Sequence, residues 1–200
     1  TYRFQLSGIK EELSQKLVLR LYPEFYGSSN TVWESTIQTV LNAEGYPVAK
    51  PQLVCEDMSI LGGAFFIMDY LPGNVLIAAP WEKIPELLGT TQAELHQLDS
   101  SRMFDALSAH GIQRNAVHIT PRMDRFLQKL KEQPSLMEIA GWLENNRPSV
   151  PNTLSICHGD FHPNNILVQD GEISAVLDWP GLLIGDPLYD IGNTIILSTV

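Results

Sequence analysis

Three polar side chains in the last quarter of the chain are suited to handling a phosphate group and its metal ion. Asp160 lies in the run His-Gly-Asp-Phe-His-Pro-Asn-Asn at 158–165, Asn165 ends that run, and Asp178 follows further along. The carboxylate of Asp160 could accept a proton from a hydroxyl, and Asn165 and Asp178 offer the hard oxygen ligands that Mg²⁺ prefers. Phosphoryl transfer depends mainly on positioning and charge stabilisation, so these residue types predict a phosphotransferase site.

The residues around this run predict short strands and turns that would bring the three side chains together. Residues 154–157 are an apolar run that leads into the motif as a strand. Residues 166–168 and 173–177 are predicted to form two further strands. Asp170-Gly171 between them is a strong signal for a two-residue hairpin turn. Asp178 falls just past the second strand of this hairpin.

The chain divides into a strand-rich half and a helix-rich half. Strands are predicted at 1–6, 16–22, 52–56 and 64–69, and one helix, around Trp33 to Leu41, ends at Gly45. Leu71-Pro72-Gly73 then breaks the pattern sharply. Beyond it, apolar residues recur at helical spacing in three stretches, which begin at Ile84, Met123 and Leu136.

The composition narrows the classes of function. The chain has 200 residues, with 13 basic and 23 acidic side chains and a formal charge of −10. That balance excludes a general nucleic-acid binder, because such proteins need a basic surface to neutralise phosphates. No apolar run approaches the roughly 20 residues that span a bilayer, so we expect no membrane partner and a cytoplasmic location. Cys55 and Cys157 have no metal-type spacing, and we expect both to be small buried side chains.

These motifs resemble the aminoglycoside phosphotransferase family, which includes choline-kinase-like members and shares the protein-kinase fold. The family's pattern is a His-Gly-Asp loop with an Asn five residues after the Asp, then Asp-Trp, then Gly-Asp-Pro and a further Asp. In this chain the pattern reads His158-Gly159-Asp160, Asn165, Asp178-Trp179, Gly185-Asp186-Pro187 and Asp190. The match is specific over 154–192 and weaker upstream.

The resemblance implies an α+β, two-lobed protein-kinase-like fold. Residues 1–70 would form the N-terminal nucleotide-binding lobe, an antiparallel sheet with one helix. Residues 71–200 would form a mainly helical catalytic lobe that contains the hairpin. The chain opens on Thr1 without Met and stops at Val200 within a helical pattern. We therefore interpret it as truncated at both ends, with the family's glycine-rich loop placed before residue 1.

The resemblance also implies roles for the residues of the motif. Asp160 would be the catalytic base, and Asn165 and Asp178 the Mg²⁺ ligands. His158 would be a packing residue behind the loop. The remaining motif residues would support the loop: Asp186 and Asp190 as braces, and His162 in a structural role.

The nucleotide-binding residues are implied by the same resemblance. Arg20 on a strand and Glu34 on the following helix would pair to hold the phosphates of ATP or GTP. Arginine here departs from the usual lysine, and its planar fork changes the phosphate geometry. The strand that leads to the hinge would hold the base, with Met68 lining the pocket and backbone groups of Asp69 and Leu71 bonding the base edge.

Other functions are weighed against this kinase hypothesis. A catalytically silent nucleotide-binding module is one, favoured by Arg20 and the missing loop. A metal-dependent hydrolase is another, because His158, Asp160, His162 and Asp178 form a His-x-Asp-x-His constellation whose imidazoles suit zinc. A small hydroxylated acceptor could resemble an aminoglycoside, a macrolide or choline, and the acidic composition favours amine-bearing ones.

Overall fold

The N-terminal part of the protein is a four-stranded antiparallel sheet with one helix beside it. In the computed structural model, which describes residues 1–8, 15–147 and 154–198, the strands are β1 (Tyr2–Gln5), β2 (Lys16–Pro23), β3 (Pro51–Cys55) and β4 (Gly63–Asp69). Their order across the sheet is β1-β2-β4-β3. Helix α1 (Ser29–Ala43) contacts β2, β3 and β4. Its apolar residues Ile37 and Leu41 are fully buried.

The elements of this half follow the sequence pattern closely. The strands predicted at 16–22, 52–56 and 64–69 each lie within one residue of β2, β3 and β4. α1 ends just before Gly45, whose φ of +79° lies in the left-handed region that favours glycine. β1 and β2 pair as an antiparallel hairpin, as expected. Their connection includes residues 9–14, which lie outside the described part of the chain.

The C-terminal part is mainly helical. Its helices are α2 (Ile84–Gln97), α3 (Ser100–Ala109), α4 (Arg114–Val117), α5 (Ile119–Lys131), α6 (Met137–Asn145) and α7 (Pro187–Ser198). The three predicted helical stretches correspond to α2, α5 and α6. α2 ends at Gln97 because Leu98 is extended. Asp99 then caps α3, its side chain accepting a hydrogen bond from the Ser101 backbone N–H.

Two small sheets complete the C-terminal part and hold the motif residues. One has the order β5-β7-β8, formed by β5 (Asn74–Val75), β7 (Ile166–Gln169) and β8 (Glu172–Val176). The other pairs β6 (Ser155–Cys157) with β9 (Leu183–Gly185). The predicted hairpin is the β7–β8 pair, and both Asp170 and Gly171 in its turn have positive φ. Sequence analysis did not find β5 and β9, because two or three residues show no periodicity.

The segment after α1 ties the two parts together. The Pro47 carbonyl accepts a hydrogen bond from the Val176 N–H at 2.7 Å. Val48 is buried in the same hydrophobic core as Ile37 and Trp179. Tyr46 donates from its hydroxyl to the Thr91 carbonyl at 3.0 Å. One continuous core therefore joins the helix beside the first sheet to the turn that follows β8.

Two sequence expectations concern the cysteines and the membrane. Both cysteines are free thiols, and Cys157 is buried as expected. The expectation is wrong for Cys55, which is only partly buried because it lies at the end of the edge strand β3.

Within the described ranges, no helix has the length and apolar character needed to span a bilayer. The cytoplasmic location remains a prediction.

Candidate active site

His158 holds the loop of the His-Gly-Asp motif in place from the protein interior. It follows β6 directly and is fully buried. Its Nδ1 accepts a hydrogen bond from the Asp160 N–H at 3.2 Å, so Nε2 carries the proton and donates to the Leu177 carbonyl at 2.9 Å. The ring lies against Trp179, with 4.5 Å between centroids. Burial lowers the pKa of His158, and the neutral ring is therefore a packing and bracing group.

Asp160 and Asn165 are joined across the loop that separates them. The Asn165 side-chain amide donates to the Asp160 carbonyl at 3.0 Å and to its Oδ2 at 3.1 Å. Because these bonds use the Nδ2 group of Asn165, its Oδ1 atom takes no part in them. The Asp160 side chain is 45% exposed, and His162 Nε2 lies 3.6 Å from its Oδ1. The carboxylate is thus positioned but open to a substrate.

The backbone brings Asp178 next to Asn165. The Asn165 carbonyl accepts a hydrogen bond from the Leu177 N–H at 2.8 Å. Asp178, the following residue, adopts a left-handed conformation with φ of +66°. Asp adopts the left-handed conformation more readily than most residues. The conformation is still uncommon in residues other than glycine, and those that adopt it are often found at functional sites. The two oxygen donors predicted from the sequence are therefore placed on adjoining loops.

Two glycines allow the loops to touch through their backbones. A Cβ atom on Gly159 would lie only 2.4 Å from the Gly181 carbonyl oxygen. Gly159 also has a φ of +81°, so both space and conformation require glycine there. On the other side, a Cβ on Gly181 would lie 3.0 Å from the His158 carbonyl oxygen. This contact fixes the loop of Asp160 against the turn that follows Asp178.

Arg20 on β2 reaches both α1 and the Asp178 loop. Its Nε lies 3.2 Å from Glu34 Oε2, and its Nη2 lies 2.9 Å from Asp178 Oδ1. Burial alone would lower the pKa of Arg20, but Glu34, Tyr22 and Asp178 together outweigh it and hold the pKa above its usual value. One guanidinium therefore links the helix beside the first sheet to the loop after β8.

Glu34 is the buried member of this group. It is 2% exposed and receives hydrogen bonds from the Tyr22 hydroxyl and from Gln38 Nε2. Burial raises the pKa of Glu34, with Arg20 opposing the shift. Burial and the neighbouring Glu34 likewise raise the pKa of Tyr22, which keeps its hydroxyl protonated as the donor.

A cavity of about 360 Å³ opens between the first sheet and the β7–β8 hairpin. Seven of the residues singled out in the sequence line it: Arg20, Glu34, Met68, Asp69, Leu71, Asn165 and Asp178. Asp160 is not among its lining residues, but its side chain is bonded to Asn165 at the wall. The cleft thus has the apolar side chains of Met68 and Leu71 near the end of β4, its apolar end, and the ion pair of Arg20 with Asp178, its charged end.

The apolar end of the cleft lies where β4 finishes. The Asp69 N–H donates to the Lys50 carbonyl, and the Tyr70 N–H donates to the Lys16 carbonyl. The Asp69 carboxylate accepts from Gln15 and Gln52, each at 2.8 Å. The Asp69 side chain therefore braces this strand end.

The model of the phosphotransferase enzyme family, APH, matches residues 1–199. The chain belongs to this phosphotransferase family. The family resemblance seen in the His-Gly-Asp motif is therefore confirmed.

Solved structures of phosphotransferases share the fold. The aminoglycoside-3'-phosphotransferase of type VIII superposes with a TM-score of 0.67, at 21% identity over 98% of this chain and 72% of that one. The aminoglycoside phosphotransferase APH(4)-Ia, in a ternary complex with ADP and hygromycin B, superposes with a TM-score of 0.59, at 20% identity over 96% and 71%. The two-lobed α+β fold expected from the sequence is confirmed.

Curated relatives of this chain are larger proteins. Acyl-CoA dehydrogenase family member 11 of Homo sapiens is 29% identical over 175 residues, which cover 80% of this chain and 22% of that protein. The hygromycin-B 4-O-kinase of Escherichia coli is 36% identical over 59 residues, 30% of this chain and 16% of that one. The chain spans about a fifth of the length of its acyl-CoA dehydrogenase relatives.

The phosphotransferase motif ends in two aspartates that brace the loop. Asp186 accepts a hydrogen bond from the Leu188 N–H at 2.9 Å and so caps α7. Asp190 is fully buried and accepts from the N–H groups of His158 and Gly159. Burial would raise the pKa of Asp190, but hydrogen bonds from His96 and these two amides hold it below the usual value.

Some residues of the site were missed in the sequence. Tyr22 lies two residues after Arg20, so the alternation of β2 could have placed both on one face. Gln38 lies one turn after Glu34, at the i,i+4 spacing that brings helical side chains together. His96 is 94 residues from its partner Asp190, and no local pattern reveals that contact.

Proposed function

We propose that this chain is the catalytic part of a small-molecule kinase, which transfers the γ-phosphoryl group of ATP or GTP to a hydroxyl. The observation that supports this most directly is the ion pair of Arg20 with Asp178, 2.9 Å apart at one end of the cleft. Asn165 lies on the same wall, with Asp160 bonded to it. A cation, two oxygen donors and a partly exposed base are the parts that phosphoryl transfer requires.

The apolar end of the cleft is proposed to hold the nucleotide base. Met68 would line the base, the Asp69 carbonyl would accept from its edge, and the Leu71 N–H would donate to it. These groups cluster where the strand leaves the sheet, and all three residues line the cleft. Backbone contacts of this kind can serve adenine or guanine, so ATP and GTP both remain candidates.

Arg20 is proposed to bind the nucleotide phosphates, with Glu34 holding it in place. The Nε side of the guanidinium faces the buried Glu34 carboxylate, which leaves the Nη2 side directed to the cleft. Arginine binds phosphate through a planar fork, unlike the point charge of lysine. This preorganised orientation supports a binding role despite the departure from lysine.

Asn165 and Asp178 are proposed to hold Mg²⁺. The donor set fits this ion, because a carboxylate and a carboxamide oxygen on adjoining loops leave further positions for phosphate oxygens and water. The hydrogen bond from Asn165 Nδ2 to Asp160 directs the Asn165 Oδ1 atom away from the Asp160 carboxylate. When bound, Mg²⁺ would neutralise charge on the phosphates.

Asp160 is proposed to accept the proton of the acceptor hydroxyl. Its Oδ2 atom is held by Asn165, and its other oxygen lies 3.6 Å from His162. The side chain is nearly half exposed, which leaves room for an alcohol to approach. The hydroxyl oxygen would attack the γ-phosphorus while its proton passes to Asp160, and the nucleoside diphosphate would leave.

We also propose that the two parts of the chain have different roles. Residues 1–70 would serve as the N-terminal nucleotide-binding lobe and residues 71–200 as the C-terminal catalytic lobe. The bridge from Arg20 to Asp178 would then cross between the lobes. Closure of one lobe on the other would be coupled to binding at the charged end of the cleft.

The acceptor is proposed to be a small hydroxylated molecule. Candidates are compounds like aminoglycosides, macrolides or choline. The solved phosphotransferase relatives include one in complex with hygromycin B and a macrolide 2'-phosphotransferase. The acceptor of the whole protein belongs to this proposal, because the chain spans only part of its relatives.

One observation weighs against the hydrolase hypothesis. Both ring nitrogens of His158 are engaged, one with the Asp160 N–H and one with the Leu177 carbonyl. The His-x-Asp-x-His constellation therefore lacks its first imidazole ligand.

Nucleotide binding by the full-length protein tests the proposal. Titration calorimetry with a non-hydrolysable ATP or GTP analogue should show binding that needs Mg²⁺. Asp178→Ala should weaken that binding at least about tenfold, because a charged metal ligand is lost. Asp105→Ala, which removes an exposed carboxylate from α3, is the matched control and should bind normally. Binding unchanged by either Mg²⁺ or Asp178→Ala would contradict the proposed site.

A further inference from the structure

The backbone that leads into Asp160 is held by a single buried carboxylate. Asp190 on α7 accepts from the Gly159 N–H through Oδ1 at 2.8 Å and from the His158 N–H through Oδ2 at 3.1 Å. These are the two amides that directly precede the proposed base. Because the peptide plane is rigid, fixing two consecutive N–H groups fixes the direction in which the chain enters residue 160.

The carboxylate is itself held from α2. His96 Nε2 lies 2.9 Å from Asp190 Oδ2, and the His96 side chain is 10% exposed. Oδ2 therefore receives both the His96 ring and the His158 amide. An imidazole N–H at this point sets the rotation of the carboxylate about its own axis, and hence the positions of both oxygens.

A second contact between the same helices runs through Thr194. Thr194 Oγ1 accepts from Gln92 Nε2 at 2.8 Å and donates to the Asp190 backbone carbonyl at 3.0 Å. The Gln92 side chain also stabilises the Asp190 carboxylate, whereas the Thr194 hydroxyl bonds only the backbone carbonyl of that residue. Removing the Thr194 hydroxyl therefore loosens α7 from α2 while it leaves the His96 contact with the carboxylate in place.

We propose that His96 is a positioning residue for phosphoryl transfer, acting through Asp190 to set the His158–Gly159 backbone and so the placement of Asp160. The inference rests on the proposed function for its catalytic consequence. Its structural part, that His96 holds the amides of His158 and Gly159 in place, can be measured without any turnover. The effect should appear in kcat, since His96 lies behind the loop and does not line the nucleotide cleft.

A metal centre is the competing explanation for this cluster. Ligand atoms of His96, Cys157 and Asp190 lie within 4.8 Å of one another. Both Asp190 oxygens already accept backbone hydrogen bonds, however, and the Cys157 thiol is directed at the Ser155 and Asp186 carbonyls, each 3.6 Å away. Burial raises the pKa of Cys157, which keeps it a neutral thiol. The network is complete through hydrogen bonds alone.

The test compares three variants of the full-length protein. His96→Leu removes the donor, His96→Gln returns an N–H near the position of Nε2, and Thr194→Val removes only the neighbouring contact between α2 and α7. Hydrogen exchange of the segment around His158 and Gly159 measures positioning directly. The kcat and the nucleotide Kd, measured with an acceptor that the wild type phosphorylates, report its consequence.

The expected pattern is specific. His96→Leu should speed exchange at these amides and lower kcat by about 10- to 100-fold, the scale expected for a small misplacement of a reacting group. Its nucleotide Kd should stay within about twofold, His96→Gln should recover most of the loss, and Thr194→Val should keep the wild-type kcat.

Two outcomes would overturn the inference. One is unchanged exchange or kcat in His96→Leu. The other is an equal loss in Thr194→Val, which would show that helix packing alone matters. Should His96→Leu not fold, the ranking of His96→Gln against Thr194→Val decides, and a lower kcat in Thr194→Val contradicts the role of His96. A wild type that forms no phosphorylated product contradicts the proposed function instead.

Discussion

Arg20 Nη2 lies 2.9 Å from Asp178 Oδ1, across the cleft between the first sheet and the β7–β8 hairpin. The two side chains are 27% and 47% exposed. An ion pair this open to solvent typically contributes about 0–1 kcal/mol. Nucleotide phosphates and their metal could therefore replace it at little cost. The partner on the other side of Arg20, Glu34, is buried and fixes the guanidinium during that exchange.

The first prediction concerns the fork of Arg20. Arg20→Lys should weaken binding of the Mg²⁺–nucleotide complex about tenfold, because an ammonium cannot face Glu34 and the phosphates through separate N–H groups. Titration calorimetry on the full-length protein measures the effect. Arg102→Lys is the control, since Arg102 pairs with Glu44 on an exposed surface. Equal affinities for wild type and Arg20→Lys would argue against phosphate binding by Arg20.

The second prediction concerns the contact of Gly159 with Gly181. Gly159→Ala should destabilise the protein more than Gly45→Ala. Both positions have positive φ, which costs an alanine about 1–2 kcal/mol. Only Gly159 adds a clash, with its Cβ 2.4 Å from the Gly181 oxygen, whereas a Cβ at Gly45 meets nothing within 4 Å.

Urea unfolding of both glycine variants measures the difference. The free energy of unfolding should be lower for Gly159→Ala by about 1–3 kcal/mol, the scale of backbone strain. Indistinguishable stabilities would mean that the two loops can separate freely, and that the close approach does not fix Asp160.

The third prediction is a pH dependence of stability that comes from His158. Burial holds its folded-state pKa below the ordinary 6.5, so the unfolded chain takes up a proton first as the pH falls. Stability from this group is complete above about pH 6.5 and is lost as the pH drops towards the folded-state pKa. The loss should approach about 1.4 kcal/mol per pH unit.

Denaturant unfolding at pH 7.5 and pH 5.5 measures this loss in the wild type. His158→Gln keeps a side-chain N–H for the Leu177 carbonyl but does not titrate, so its pH dependence should be flatter, whatever its overall stability. His110→Gln, at an exposed histidine, should retain the wild-type slope. A slope that His158→Gln leaves unchanged would assign the proton uptake to another group.

The parts of the site that are close in sequence were predictable. Asp160 and Asn165 are separated by a short loop, and Asp178 ends a hairpin whose turn residues are explicit. Arg20 and Glu34 could be placed through the family resemblance, since neither strand alternation nor helical periodicity joins residues on different elements. The cleft they line together follows from the fold.

Other parts depend on tertiary contacts that no local pattern encodes. His96 and Asp190 meet because α2 and α7 both pack against β6, which sequence spacing does not show. The direct contact of Gly159 with Gly181 is another case, since a glycine in the sequence does not say which backbone approaches it. Cys55 was misplaced because its apolar neighbours concealed an edge strand.

Asp160→Asn tests whether Asp160 accepts the proton of the acceptor hydroxyl. Asparagine keeps the size of the side chain and an oxygen for Asn165, but it cannot take the hydroxyl proton. Product formation from γ-labelled ATP or GTP should be measured for the full-length wild type and variant with an acceptor that the wild type phosphorylates. We expect kcat to fall by about 10²- to 10⁴-fold and the nucleotide Kd to change less than about twofold. An Asp160→Asn variant that forms phosphorylated product at the wild-type rate would rule out Asp160 as the base.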